Sequence, residues 1–380
     1  MVDLPVAAVN YWHDGATGDT MADTDASLKR GALNLLSNCA KASAGETLLI
    51  VHEKPELGYY GAGLAEVIAR TARDIGLQVR SREVPFTERV DEVSAELAGL
   101  LATSDHVLFL ARLGDQLRFQ EMPSGARPIV SYVLDTEMLA SPFGTAPYQA
   151  FVALKAAIDT LMTGAREIRV TCPLGTDFKG RLDSAAAPAD VTVRRFPLSV
   201  FTPLAAFGFS GRVAVARFLV GTGSQYYRPY HLSLDSTLFA QLEGNRVARW
   251  DGPASIVANK QRHYEDVASR FNIDAGFVHS WHAGIHPGCA YRMPAVANYE
   301  RWSGGAFGNP RLLHFHTCGA YAPGEICWNI VDPTISIDSR IIWKHGRIAT
   351  DEQPAIREVL QRYPDVGALF QRPAQDIGLD

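Results

Sequence analysis

Five of the chain's eleven histidines fall between positions 279 and 316: His279, His282, His286, His314 and His316. Glu325 follows nine residues after the last of them. Imidazole nitrogens and one carboxylate are the donors a borderline divalent metal takes. Two histidines and one carboxylate with open positions make the facial site of non-haem Fe(II) oxygenases, and the same donor types hold catalytic Zn(II). His314 and His316 alternate within the run Leu312–Thr317, so on a strand both point to one face. His279 and His282 precede Ala283–Gly288, a Gly- and Pro-bearing loop that contains His286 and brings backbone close to whatever binds there. No compact motif of the HExxH kind is present. The opposing reading makes each imidazole a separate core or surface group, and His231 and His263 are left to it.

These residues need a scaffold, and the pattern upstream supplies one. Thr47–Val51, His106–Leu110, Ile129–Leu134 and Ile168–Thr171 read as buried strands. They alternate with helical periodicity over Leu28–Ala42, Gly61–Ile75, Val90–Leu101 and Tyr148–Met162. Strands alternating with helices predict an α/β fold with a Rossmann-like parallel-sheet domain over residues 28–190, preceded by an arm, 1–27. From about Arg194 the texture changes to short strands, Gly and Pro, with one clear helix at Ser255–Phe271. This predicts a mixed α+β domain over 191–380 that carries the metal site. Gly61-Ala62-Gly63 suggests a phosphate turn, but Glu66 occupies the third glycine position and would repel a pyrophosphate, so NAD is not expected.

Composition bounds the partners. A net charge of -5 gives no basic face for nucleic acid or anionic membrane, and no apolar run reaches the length of a membrane span. Cys39, Cys172, Cys289, Cys318 and Cys327 form no CxxC pair, which reads as reduced thiols in a cytoplasmic protein. The N-terminus lacks the basic start and apolar run of a signal peptide.

Several segments, in order, resemble the thermophilic metallo-aminopeptidase family (aminopeptidases T and S) and its ring-opening relative, dihydroxypyridine dioxygenase. They are Leu35–Ala40 with Gly45–Val51, Gly175-Thr176-Asp177-Phe178, Ser199–Pro203, the stretch His279–Pro287, and Gly324–Asp338 followed by Gly346-Arg347-Ile348. The resemblance implies a homo-oligomer with a metal centre: two metals in the peptidases, and one Fe(II) on two His and an Asp in the dioxygenase. The departures are specific. Ser199 stands where the peptidases carry a metal-binding Glu, and Glu325-Ile326-Cys327 replaces the shared HxD pair.

The resulting expectation is a redistributed site: His279 or His282, one of His314 and His316, and Glu325 as ligands. Cys327 stands beside them as a fourth ligand or a neighbouring thiol. The dioxygenase's acid/base histidines fall near Arg112 and Arg195, which suit a carboxylate-bearing substrate. Trp281, Tyr226, Tyr227 and His286 are further candidates for lining a pocket, with core packing as the alternative for the aromatics. Function then reads as a mononuclear Fe(II) oxygenase using O2 on a small aromatic or polar organic molecule. The alternatives are a hydrolase using Zn or another divalent metal, with Glu325 as base, and a metal-free remnant used for binding. Whether Tyr11-Trp12-His13 in the arm covers the site is left open.

Overall fold

The computed structural model describes residues 19–88, 93–118, 126–182, 193–222, 224–319 and 323–379, without the side chains of 19–22. Most of the proposed arm, including Tyr11-Trp12-His13, lies outside the described residues. Its last part, together with Leu28–Leu33, forms the helix Asp19–Leu33.

The apolar runs become β1 (Thr47–His52), β2 (Gln78–Glu83), β3 (His106–Leu110) and β4 (Arg127–Ser131). The chain then leaves for a second sheet through β5 (Ile168–Thr171) and β6 (Asp177–Gly180), and returns as β7 (Arg194–Phe196). The first sheet has the order β2-β1-β3-β4-β7 and is parallel throughout. Sheet membership therefore does not divide at residue 190: β5 and β6 precede that point yet pair in the second sheet, and β7 follows it yet closes the first.

The second sheet is curled and antiparallel. It adds β8 (Leu204–Ala205), β9 (Phe209–Gly221), β10 (His231–Glu243), β11 (Arg246–Asp251), β12 (Val278–Ala283), β13 (Leu312–Cys318), β14 (Glu325–Val331), β15 (Thr334–Ile337), β16 (Arg340–Lys344) and β17 (Arg347–Ile348). Its main path runs β17-β16-β15-β5-β6-β9-β14-β13-β12-β8, with β10 and β11 extending from β9. The segments His231–Leu234 and Leu238–Leu242, which read as two strands, are one strand with a register shift between Leu234 and Leu238. Thr334–Ile342 is two strands turning at Asp338 and Ser339, both at positive φ.

Three strands at the centre of this sheet decide where chemistry is possible. On one face β12, β13 and β14 present Trp281, Leu313, Phe315, Ile326, Trp328 and Ile330 to an apolar core. Alternation then forces Ser280 and His282, His314 and His316, and Glu325, Cys327 and Asn329 onto the other face. That polar stripe faces a second core, which both sheets share: it joins Ile50, Leu108 and Ile129 of the first to Phe218, Val220, Leu312 and Cys327 of the second. No helix among the described residues is long and apolar enough to cross a membrane.

The close approach at the end of β12 depends on Gly284. A Cβ there would run into the backbone of Gly308 and Asn309, and Gly284 also forms a bridge with Val200. Gly284→Ala is expected to cost about 1–3 kcal/mol as overpacking against main chain that cannot swing aside. Urea denaturation measures this, and an unchanged midpoint would refute it.

Candidate metal centre

His282 lies opposite His314 in the β12–β13 register, and His316 lies opposite Cys327 across β13–β14. Three imidazoles on two adjacent strands therefore share one face within two residue steps. Their ring nitrogens converge: His282 Nε2 is 2.7 Å from His314 Nε2 and 3.1 Å from His316 Nε2. One ligand atom from each of the three lies within 4.8 Å of the others, and all three residues are buried.

The tautomers are set from behind. His282 Nδ1 lies 2.9 Å from the Phe201 carbonyl, an acceptor only, so Nδ1 carries the proton and Nε2 presents its lone pair. His316 Nδ1 is 3.0 Å from Glu325 Oε1, an ion-pair contact without hydrogen-bond geometry, so there the carboxylate favours a proton on Nδ1 by its charge. A backbone carbonyl or carboxylate behind the ring is the arrangement that orients metal-bound histidines. His314 is held by stacking on Phe307, 4.0 Å between centroids at 11°, and its Nδ1 has no partner among the described residues.

Do these residues fit a metal? A neutral imidazole nitrogen has one in-plane lone pair, so His282 Nε2 cannot accept hydrogen bonds from both His314 and His316. A cation at the centre uses all three lone pairs at once. Three nitrogens at metal distance stand about 3.4 Å apart in a tetrahedral site and about 3.0 Å apart on an octahedral face. The separations of 2.7 and 3.1 Å are closer to the second. The donor set therefore fits a divalent ion.

Electrostatics separate the three. Burial, reinforced by the charge of His316, holds His282 well below the usual histidine range. His314 is held well below by burial and by the charges of His282 and His316. Burial also acts to lower His316, but the Glu325 charge and contacts with Cys327 and Glu325 outweigh it and hold it at about 10. Burial pushes Glu325 upward, and the His316 and Arg118 charges outweigh it, leaving the carboxyl below its ordinary value.

The remaining expected site residues are distributed as follows. Glu325 stands behind His316, outside the triangle of nitrogens, with Oε2 3.6 Å from Arg118 Nη2. His279 sits where the β12–β13 register shifts between Val278 and Ser280; its Nδ1 lies 2.9 Å from Ser280 Oγ, and it is not one of the three convergent donors. Cys327 is on the stripe beside His316, with Sγ 3.2 Å from Thr222 Oγ1, and is not one of the three convergent donors.

Arg112 is not turned to the triad. Its Nε and Nη2 donate to Glu53 Oε2 at 2.9 and 2.7 Å, and Nη1 donates to Glu300 Oε2 at 2.8 Å. Trp281 is fully buried on the opposite face of β12, against Phe178, Phe209 and Phe315. His286 is also fully buried, stacked on Phe151 at 3.8 Å, with its Nδ1 accepting from Gly288 N. Tyr227 belongs to the core, its hydroxyl donating to the Glu325 carbonyl. Strand alternation and packing, which position in the sequence alone does not show, account for all four.

Sequence reasoning missed the residues that meet the stripe from the parallel sheet. Arg118 follows the short helix after β3, pairing with Asp115 at 3.0 Å, and the Tyr132 hydroxyl just beyond β4 donates to the same carboxylate at 3.0 Å. They lie beyond the carboxyl ends of β3 and β4, the edge at which open parallel sheets bind ligands.

Glu325→Gln isolates the role of the carboxylate. A proton and a cation compete for His316 Nε2. While His316 stays near 10, metal affinity rises with pH, losing about tenfold for each unit below that value. Removing the Glu325 charge lowers the His316 pKa, so the variant is expected to show a flatter pH slope above neutrality. At the alkaline end it should bind metal about 10–100-fold more weakly, because the ligand is less basic. Titration with Zn(II) from pH 6 to 9 measures both, and an unchanged slope would contradict the assignment.

No family model and no curated protein matches the chain. Solved structures do. The 2,5-dihydroxypyridine dioxygenase of Pseudomonas putida KT2440 aligns with a TM-score of 0.58 and 13% identity, over 87% of this chain and 99% of that one. AmpT from Thermus thermophilus aligns over 85% and 99% with 12% identity and a TM-score of 0.48. At such identity the first likeness shows a common fold, and nothing about the reaction.

Proposed function

We propose that the chain is a mononuclear metalloenzyme of the oxygenase type, holding Fe(II) on His282, His314 and His316 and acting on a small aromatic or polar organic molecule. The observation that carries this reading is the convergence of three buried imidazole nitrogens, with the His282 lone pair turned inward by its Phe201 hydrogen bond and His316 backed by the Glu325 carboxylate. His282, His314 and His316 would hold the ion with three protein donors, which would leave positions on it for a chelating substrate together with O2. When bound, Fe(II) supplies one-electron chemistry toward O2 and a Lewis acid for the substrate.

The chain's own residues do the rest. Phe201 and Glu325 keep two rings from rotating, and Phe307 fixes the third by stacking. The three histidines are buried, with the shared core packed against the face that carries them. Arg118, itself held by Asp115, stabilises the ionised form of Glu325, so His316 stays oriented as a donor. The departure at Ser199 fits one ion better than two, since a hydroxyl does not bridge metals as a carboxylate does. The fold shared with a dioxygenase is compatible with this reading.

The test is anaerobic reconstitution with Fe(II), followed by O2-uptake measurements on a panel of dihydroxypyridines, catechols and hydroquinones. The expected result is O2 consumption with Fe(II) and none with Zn(II). Hydrolysis of amino-acid amides by the Zn(II)-loaded protein without O2 would overturn the oxygenase reading in favour of hydrolysis.

A further inference from the structure

The segment that joins the two sheets also backs the metal centre. β7 ends the first sheet with Phe196 in the shared core, while its neighbour Arg195 lies opposite Val130 on the other face of that sheet, away from that core. Residues 197–203 then cross to β8. On the way Ser199 accepts from Ile285 N at 2.8 Å, and Val200 bridges Gly284. The Phe201 ring is fully buried, edge-on to Trp281, His282 and Trp343.

The next residue is gripped from a different element. On the helix Tyr148–Thr163, Lys155 and Asp159 stand one turn apart, with Lys155 Nζ 2.7 Å from Asp159 Oδ2. Asp159 Oδ1 accepts from Thr202 N at 3.0 Å, and Oδ2 accepts from Thr202 Oγ1 at 2.8 Å. Lys155 also donates to Thr202 Oγ1 and supplies the countercharge.

Thr202 N–H and Phe201 C=O are the two ends of one peptide unit. That unit is planar and, not being among the cis bonds of the chain, trans, so its N–H and C=O point in opposite directions. Asp159 therefore holds one end of a rigid plate whose other end accepts from His282 Nδ1 at 2.9 Å. Turning the plate breaks both bonds. An ionised acceptor on the N–H also polarises the carbonyl, which strengthens its bond to the imidazole. A carboxylate behind a histidine fixes its direction and makes it a better metal donor. Glu325 stands directly behind His316, and His282 has its carboxylate one peptide unit further back.

We propose that Asp159 is a positioning residue of the metal centre: through the peptide between Phe201 and Thr202 it aims the His282 ring and raises the donor strength of His282 Nε2. This inference rests on the metal-centre reading above and extends that site to a residue on the helix behind it.

The test compares the full chain with Asp159→Ala and Asp159→Asn. Zn(II) affinity is read by competition with a chromophoric chelator. The Nδ1 proton of His282 is read by NMR of histidine-labelled protein, with and without Zn(II), and is assigned by its loss in His282→Ala. Asp159→Ala is expected to weaken Zn(II) binding about tenfold, and Asp159→Asn, which keeps an uncharged acceptor, about threefold. The ring-proton resonance should move upfield in both variants as its hydrogen bond weakens, and further in alanine. Urea midpoints are read alongside, and Asp159→Asn carries the test should the alanine variant fail to fold. A variant that loses stability while its Zn(II) affinity stays within about twofold and the resonance does not move overturns this inference alone, because Asp159 then only anchors the loop. Failure of the unsubstituted chain to take up Zn(II) overturns the metal-centre reading and this inference with it.

Discussion

Alanine at His282 is expected to raise the dissociation constant for a divalent metal by roughly a hundredfold or more and to abolish any metal-dependent turnover. The magnitude follows from sharing the about 10–16 kcal/mol released by a structural Zn(II) site over four ligands: one imidazole is worth about 3 kcal/mol. His282 is the strongest choice because its Nε2 faces both His314 and His316, so its removal leaves the two remaining donors without the group that joins them. It also leaves the buried Phe201 carbonyl without its donor, a further cost of about 1–3 kcal/mol in stability. His279→Ala is the matched control. That residue lies at the register shift and outside the triangle, so its loss is expected to change metal affinity by no more than a few-fold. Competition titration with a chromophoric chelator measures both variants. Equal effects at His279 and His282 would mean that the ligand set has been misassigned.

Arg112→Met carries the largest expected effect on stability, about 3–5 kcal/mol, because it strands two carboxylates rather than one. The Glu53 side chain is 1% exposed and that of Glu300 is 12% exposed, and Arg112 binds both while lying over the Phe86 ring at 3.7 Å. The clasp ties the ends of β1 and β3 to the helix Tyr299–Ala306, and Glu300 also accepts from Gln225 N, next to Tyr226. The pH dependence has a definite sign. Burial already raises the Glu300 carboxyl, partly offset by the Arg112 charge. Without Arg112 the Glu300 carboxyl titrates further above its unfolded value, so the folded form takes up protons more readily than the unfolded. The deficit of the variant is then full near pH 8 and shrinks toward pH 5. Adding Glu53→Gln removes one stranded charge and should recover part of the loss. Urea denaturation at the two pH values decides it; a loss below about 1 kcal/mol, or one that grows on acidification, would contradict the assignment.

How much of this was legible before the structure depends on which physical signal each part leaves. Uninterrupted apolar runs such as Leu48–Val51 and Val107–Leu110 mark buried parallel strands without ambiguity, and the parallel sheet followed from them. The shared face of His314 and His316 followed from simple alternation. Glu325-Ile326-Cys327-Trp328-Asn329-Ile330 carries the same polar–apolar alternation, and reading it as a strand would have placed Glu325 and Cys327 on the histidine face. The choice between His279 and His282 was not legible, because it turns on a register shift that leaves no mark in residue type. Nor was the engagement of Arg112, since the carboxylates that occupy it lie 59 and 188 residues away in the chain. Arg118 was missed for the same reason: its link to Glu325 spans the two sheets.

X-ray absorption at the metal edge of the Fe(II)- or Co(II)-loaded chain tests the central claim most directly, because it reads the donor atoms around the ion without requiring a substrate. The predicted spectrum contains three imidazoles at about 2.0–2.2 Å, with light oxygen donors filling the other positions. Substituting His282, His314 or His316 should remove one imidazole contribution each. A thiolate at about 2.3 Å from Cys327, or an imidazole count that survives loss of His282, would contradict it.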